Sequence, residues 1–149
     1  MRTDDWLVER LDYIWNCYFD DVLKGFPIII RWGPAAQRRF GSIRAKDKQS
    51  LILINGLFRR PEVPDFVIDG TMVHELAHYV HGFGSGLPKK YANPHQGGVI
   101  TKELTERGCQ HLEAMADKWR ENNWQQFYES TGKSAATKLR NHADDLIWE

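Results

Sequence analysis

The stretch Val73-His74-Glu75-Leu76-Ala77-His78-Tyr79-Val80 decides how the rest of the chain is read. Its apolar positions, with Phe66 and Val67 ahead of them, recur at the spacing of a helix face. A helix is predicted from about Pro64 to His81, with Asp65 at the N-cap and the glycines that begin at Gly82 ending it. At about 3.6 residues per turn, positions i and i+4 lie about 40° apart around the axis and about 6 Å along it, so the two imidazoles of this HExxH motif reach one ion. Glu75 is turned about 100° from His74, which sets it beside such an ion, where a carboxylate can take a proton from a zinc-bound water.

A catalytic zinc commonly has three protein ligands and an open position, so His74 and His78 need a third partner. His81 shares their face but lies about 4.5 Å beyond His78 along the axis, too far for an ion centred on the first pair. It reads as a histidine favoured by the helix C-terminal dipole. His95, in Asn93-Pro94-His95-Gln96-Gly97-Gly98, comes from a loop that can fold back over the helix. Glu113 is the alternative, because Glu113-Ala114-Met115-Ala116-Asp117 resembles the glutamate-ligand helix of gluzincin peptidases, in which an Asp four residues on orients a motif histidine. The residues alone leave both open.

Working outward, Trp6 to Leu23 has helical spacing. Gly25 and Pro27 break that pattern before Ile28-Ile29-Ile30-Arg31-Trp32, a run of strand length. Further strands are expected at Gly41 to Arg44 and at Leu51 to Ile54, joined through the polar Lys46 to Ser50 segment. These form a small antiparallel sheet, in which Leu51 to Ile54 is either an edge strand able to pair with an extended substrate or plain core. Residues 82 to 98 read as a long irregular loop, and Thr101 to Trp119 as one helix. In 121–149, Trp124, Phe127, Tyr128, Leu139, Leu146, Ile147 and Trp148 are anchors for one or two packed helices. The fold class is α+β, with the sheet packed on the motif helix between further N- and C-terminal helices.

The chain has 149 residues, a length suited to one domain over 1–149. Twenty basic residues balance twenty acidic ones, so broad nucleic-acid binding is not supported by charge. No apolar run approaches the roughly 18 residues of a membrane span, and the start MRTDDWLVER does not read as a signal peptide, so a cytoplasmic protein without membrane contact is expected. Cys17 and Cys109 are far apart and lack CxxC spacing, and read as reduced thiols.

From about Gly41 to Gly108 the sequence resembles SprT-like (Spartan-like) zinc metallopeptidase domains. The resemblance is carried by Gly41-Ser42-Ile43-Arg44, Leu51-Ile52-Leu53-Ile54-Asn55, Leu57, Val63-Pro64-Asp65-Phe66-Val67, the motif His74 to His78, Pro94-His95, Glu103-Leu104 and Glu106-Arg107. It implies a zincin-like fold with a family-like core over about 27–120, Zn2+ as cofactor, and His95 as third ligand in preference to Glu113. Val99 stands where the family has an aromatic, and no cysteine-rich ribbon follows, so the family's DNA targeting is not carried over.

The function expected is hydrolysis of peptide bonds in a peptide or protein substrate, with Glu75 as general base. Tyr91, Arg107 and His111 are candidates for stabilising the oxyanion, while Trp119, Trp124 and Trp148 read as core or partner-facing. Two alternatives remain: a zinc-stabilised binding or regulatory module without proteolytic activity, and a latent protease blocked by its own Leu139 to Trp148 segment.

Overall fold

Thr3 caps the first helix, its Oγ1 accepting from the Trp6 amide at 3.0 Å, and Asp4 and Asp5 place negative charge in the first turn. This helix, α1 (Asp4–Tyr18), buries Leu7, Leu11 and Ile14. It stops short of the predicted Leu23 because Phe19 leaves helical geometry and turns its ring fully into the core. There Phe19 stacks on Trp15 and lies under the Arg107 guanidinium. The chain is described by a computed structural model for residues 1–132. The anchors Leu139, Leu146, Ile147 and Trp148, and with them the proposed blocking segment, lie outside the described residues.

Three strands follow: β1 (Ile28–Gly33), β2 (Gly41–Lys46) and β3 (Gln49–Asn55). Their spatial order is β1-β3-β2, with β1 parallel and β2 antiparallel to β3. The sheet is therefore mixed, not antiparallel throughout, and Leu51 to Ile54 belong to the central strand, not an edge. Asp47 and Lys48, both at positive φ (54° and 58°), form a two-residue turn that forces β2 and β3 to be antiparallel. The 34–40 connection carries the chain from β1 across to the far side of β3. Asn55 pins that connection, its buried side-chain amide donating to the carbonyls of Ala36 and Arg39 at 2.8 Å each and its oxygen accepting from Leu57. Residues Ser50 to Asn55 of β3 are all buried, as a strand covered on both edges and both faces requires.

The motif helix α2 (Asp65–Val80) has Pro64 at the N-cap in place of the expected Asp65, which lies in the first turn, where Arg2 pairs with it at 2.6 Å. It is buried along most of its length, between the sheet and a later helix. The expected single helix over Thr101 to Trp119 is two: α3 (Val99–Glu106) and α4 (Gln110–Trp119). Gly108, at φ 76°, takes the left-handed conformation that ends α3 and redirects the chain. α4 then packs along α2 at close range. A Cβ on Gly70 would stand 2.4 Å from the Leu112 carbonyl oxygen and 2.5 Å from the Ala116 Cβ.

Helical turns continue over Arg120–Trp124, Gln125–Phe127 and Tyr128–Gly132. Trp124 is buried among Phe40, Phe58 and Phe127, and its indole N–H donates to the Gln37 carbonyl at 2.6 Å. Trp119 is partly buried against the same core. Among the described residues the architecture is thus α+β, a small mixed sheet and four helices of eight residues or more with α2 at the centre. Among the described residues no helix is long and apolar enough to cross a membrane. Cys17 is exposed and Cys109 buried, both as free thiols.

Candidate metal centre

His74 and His78 sit one turn apart on α2, with ring centroids 4.8 Å apart and planes at 82°. The loop after α2 returns to bring His95 against both. Its Nε2 lies 3.4 Å from Nε2 of His74 and 3.1 Å from Nε2 of His78. The edge of a tetrahedron of nitrogens around an ion, with metal–nitrogen bonds of about 2.0–2.1 Å, is about 3.3–3.4 Å, so the spacing of these donors suits one ion. Three histidines of this chain are close enough to bind a metal ion.

The protonation of the cluster suits the same reading. Burial and the charges of neighbouring histidines push His78 down to about 3, and burial with His74 lowers His95. Both rings are thereby neutral and able to offer a lone pair, the form a metal needs. His74 differs. Burial opposes its charge, but the hydrogen bond to Glu113 and the carboxylates of Glu75 and Glu113 outweigh it, and its pKa is raised.

Glu113 stands on the other side of His74. From α4, its Oε2 accepts from Nδ1 of His74 at 3.3 Å, while its Oε1 accepts from the Thr101 hydroxyl of α3 at 3.0 Å. The bond to His74 holds the Glu113 carboxyl below its usual range in spite of burial. An ionised carboxylate only accepts, so Nδ1 of His74 carries a proton, and in the neutral ring it is Nε2 that turns a lone pair towards His78 and His95. The structure therefore brings His95 to the front of the pair and places Glu113 behind it, on the nitrogen facing away.

Glu75 is 6% exposed and lines the same cleft as the histidines. Burial raises its carboxyl to about 7, against the pull of His74 and Arg39. Gly41 at the start of β2 leaves room for it: a Cβ there would stand 3.2 Å from Glu75 Oε1 and 2.7 Å from Thr71 Cγ2. The cleft has a volume of about 690 Å³, bordered by β2 from Gly41 to Ala45, by α2 and by the loop residues Phe83, Lys89 and Pro94.

His81 is fully buried at the C-cap of α2 and points elsewhere. Its Nε2 is 2.9 Å from Glu103 Oε1, and Arg107 donates to the other oxygen of Glu103 at 2.8 Å and to Asp21 at 2.6 Å. His81 is thus held by an ion cluster with α3, more than by the dipole of its own helix.

None of the three expected oxyanion helpers borders the cleft. Tyr91 packs edge-on against His81, Arg107 is occupied by Glu103 and Asp21, and His111 is exposed on α4. The cations that do line it are Arg39, Arg44 and Lys89, which the sequence reading passed over. The available signal was that two of them flank or occupy the Gly41-Ser42-Ile43-Arg44 strand. Comparison with protein-family models, curated proteins and solved structures finds no match to this chain.

Proposed function

We propose that the chain is a zinc-dependent metallopeptidase in which His74, His78 and His95 hold the ion and Glu75 is the general base. The observation that carries this reading is the convergence of three imidazole Nε2 atoms beside a buried carboxylate, at the wall of an open cleft. Three imidazoles form a donor set suited to zinc, His78 and His95 already neutral and His74 giving up its Nε2 proton on binding. When bound there, zinc would supply a Lewis acid that polarises a carbonyl and brings the pKa of a water towards neutrality.

The protein's own groups divide the remaining work. Glu113 fixes the tautomer and ring orientation of His74. Glu75, buried at the wall of the cleft beside the histidines, is placed to accept the proton of an attacking water and return it to the leaving amine. Among the described residues β2 pairs with β3 alone, so its outer edge carries backbone donors and acceptors able to align an extended peptide along the cleft. This edge takes the part expected of Leu51 to Ile54.

A zinc-stabilised module without activity is less well supported. Structural zinc sites are closed by four protein ligands, whereas three donors meet here among the described residues. Burying Glu75 without using it as a ligand is a cost that a structural site has no reason to carry. The mixed sheet beside the motif helix suits a zincin-like fold, and the SprT-like resemblance points to the same chemistry.

The test is cleavage of a labelled unfolded protein such as casein by the zinc-loaded chain and by Glu75→Gln. Wild type should cleave, and Glu75→Gln should keep its zinc while losing at least about a hundredfold in rate, the scale of general-base catalysis. Equal rates for the two proteins would remove Glu75 from the mechanism.

A further inference from the structure

The loop after α2 is fastened to the fold along its first half. Phe83 donates its backbone N–H to the His78 carbonyl at 3.0 Å, the Ser50 hydroxyl donates to the Gly84 carbonyl at 2.6 Å, and the Phe26 amide donates to the Ser85 carbonyl at 2.7 Å. Gly84, at φ 76°, lies so close to β2 that a Cβ would stand 3.2 Å from Ile43 Cγ1 and from the Arg44 Cα. The segment that carries Phe83 is therefore held in place, yet its ring is only half-buried and forms part of the cleft wall with Ile43, Ala45 and Pro94. The ring meets His78 edge-on, with centroids 6.3 Å apart. Exposed Lys89 holds its Nζ 5.7 Å from the ring centre, a cation–π contact that its flexible stem can give up.

We propose that Phe83 is a specificity-determining residue that receives a large apolar side chain, so that the chain cuts peptides beside aromatic or long aliphatic residues. The inference rests on the peptidase reading and adds a substrate class to it. An apolar ring at a solvent-open wall gains by being covered, and a ring on a fastened segment gives up little freedom when covered. A peptide lying along the β2 edge turns alternate side chains to one face. When one of its carbonyls is brought to the histidines, a side chain next to that carbonyl comes within reach of Phe83, because the ring adjoins His78. Phe, Leu or Met there buries apolar surface against Phe83 and Ile43. Ala or Ser buries little, and a carboxylate loses hydration without gaining a partner from the ring.

The experiment uses the full chain loaded with zinc, with casein as a general substrate beside a set of internally quenched peptides. The peptides share one Gly-, Ser- and Thr-rich sequence around a single central position occupied by Phe, Leu, Ala or Glu. Fluorescence gives kcat/KM, and mass spectrometry locates the bond cut. The Phe and Leu peptides should be cut at least about tenfold faster than the Ala and Glu peptides, at a bond beside the central residue. Phe83→Ala should lower the ratio of Phe-peptide to Ala-peptide rates by at least about fivefold, and Phe83→Leu should keep most of it. A purely structural role for Phe83 would lower all rates together and leave that ratio unchanged.

Casein cut while the peptides are cut equally, or not at all, overturns the inference and leaves the peptidase reading standing. A ratio that survives Phe83→Ala, or faster cutting of the Glu peptide, does the same. The comparison of peptides on the wild type decides the matter even where Phe83→Ala fails to fold. Casein and peptides all left intact tells against the peptidase reading and the inference with it.

Discussion

Replacing Gly70 by Ala should damage the metal centre from a position that touches none of the three histidines. The added Cβ would lie 2.4 Å from the Leu112 carbonyl oxygen and 2.5 Å from the Ala116 Cβ. Non-bonded carbons rest at about 3.5–4.0 Å, so α2 and α4 must move apart by about 1 Å. Both obstacles belong to the backbone or to a Cβ, and neither can rotate away. The strain should cost about 1–3 kcal/mol of stability.

The same movement separates Glu113, on α4, from His74, on α2. Their contact at 3.3 Å is already near the long end for a hydrogen bond, and an extra ångström abolishes it. Loss of such a carboxylate partner typically lowers metal affinity about 10–100-fold. Urea unfolding of the metal-free protein gives the first quantity, and competition with a chromophoric zinc chelator gives the second. Gly97→Ala is the control, because a Cβ there meets nothing within 4 Å, although its φ of 51° adds local strain. If Gly70→Ala were as stable as wild type and bound zinc as tightly, the link from helix packing to the metal centre would be refuted.

Two further substitutions test other parts of the account. Lys48→Gly should raise stability by about 0.5–1 kcal/mol, since a lysine at φ 58° is strained and glycine is not, the gain being reduced by glycine's larger unfolded entropy. The urea midpoint should rise without a change in slope. His81→Ala should cost about 1–3 kcal/mol in the same assay, because it strips a hydrogen-bond partner from the buried Glu103, which keeps Arg107, yet leave zinc stoichiometry unchanged. Loss of zinc in a folded His81→Ala protein would place that histidine in the metal site after all.

What the sequence disclosed was mostly local. The spacing around His74 and His78 marked α2 nearly to its ends, because a long apolar face and a glycine stop are both near-neighbour signals. The end of α1 was missed because Phe19 and Val22 keep the helical period, while burial of the Phe19 ring under Arg107 depends on residues far along the chain. The break at Gly108 was hidden for a related reason: one glycine inside a helical pattern is tolerated, and only its left-handed conformation ends α3.

Strand order is the least local property, and there the reading went astray. Leu51-Ile52-Leu53-Ile54 is a continuous apolar run with no alternation, which is the mark of a strand buried on both faces, so it belonged at the centre. Placing it there frees β2 to border the cleft. That in turn decides which arginines face the site, something no spacing along the chain announces. Glu113 was visible as a carboxylate suited to the centre, but whether it faces the ion or the back of His74 depends on how closely α4 approaches Gly70.

The central claim is that His74, His78 and His95 hold one metal ion while Glu113 supports His74 from behind. It is tested most directly by the zinc content of the purified wild type, His95→Ala and Glu113→Ala proteins after exposure to one zinc per chain and gel filtration in metal-free buffer. Wild type should retain about one zinc per chain, His95→Ala should retain almost none, and Glu113→Ala should keep the stoichiometry with an affinity lower by about 10–100-fold. Zinc lost from Glu113→Ala but kept by His95→Ala, or a wild type that binds none, would contradict the account.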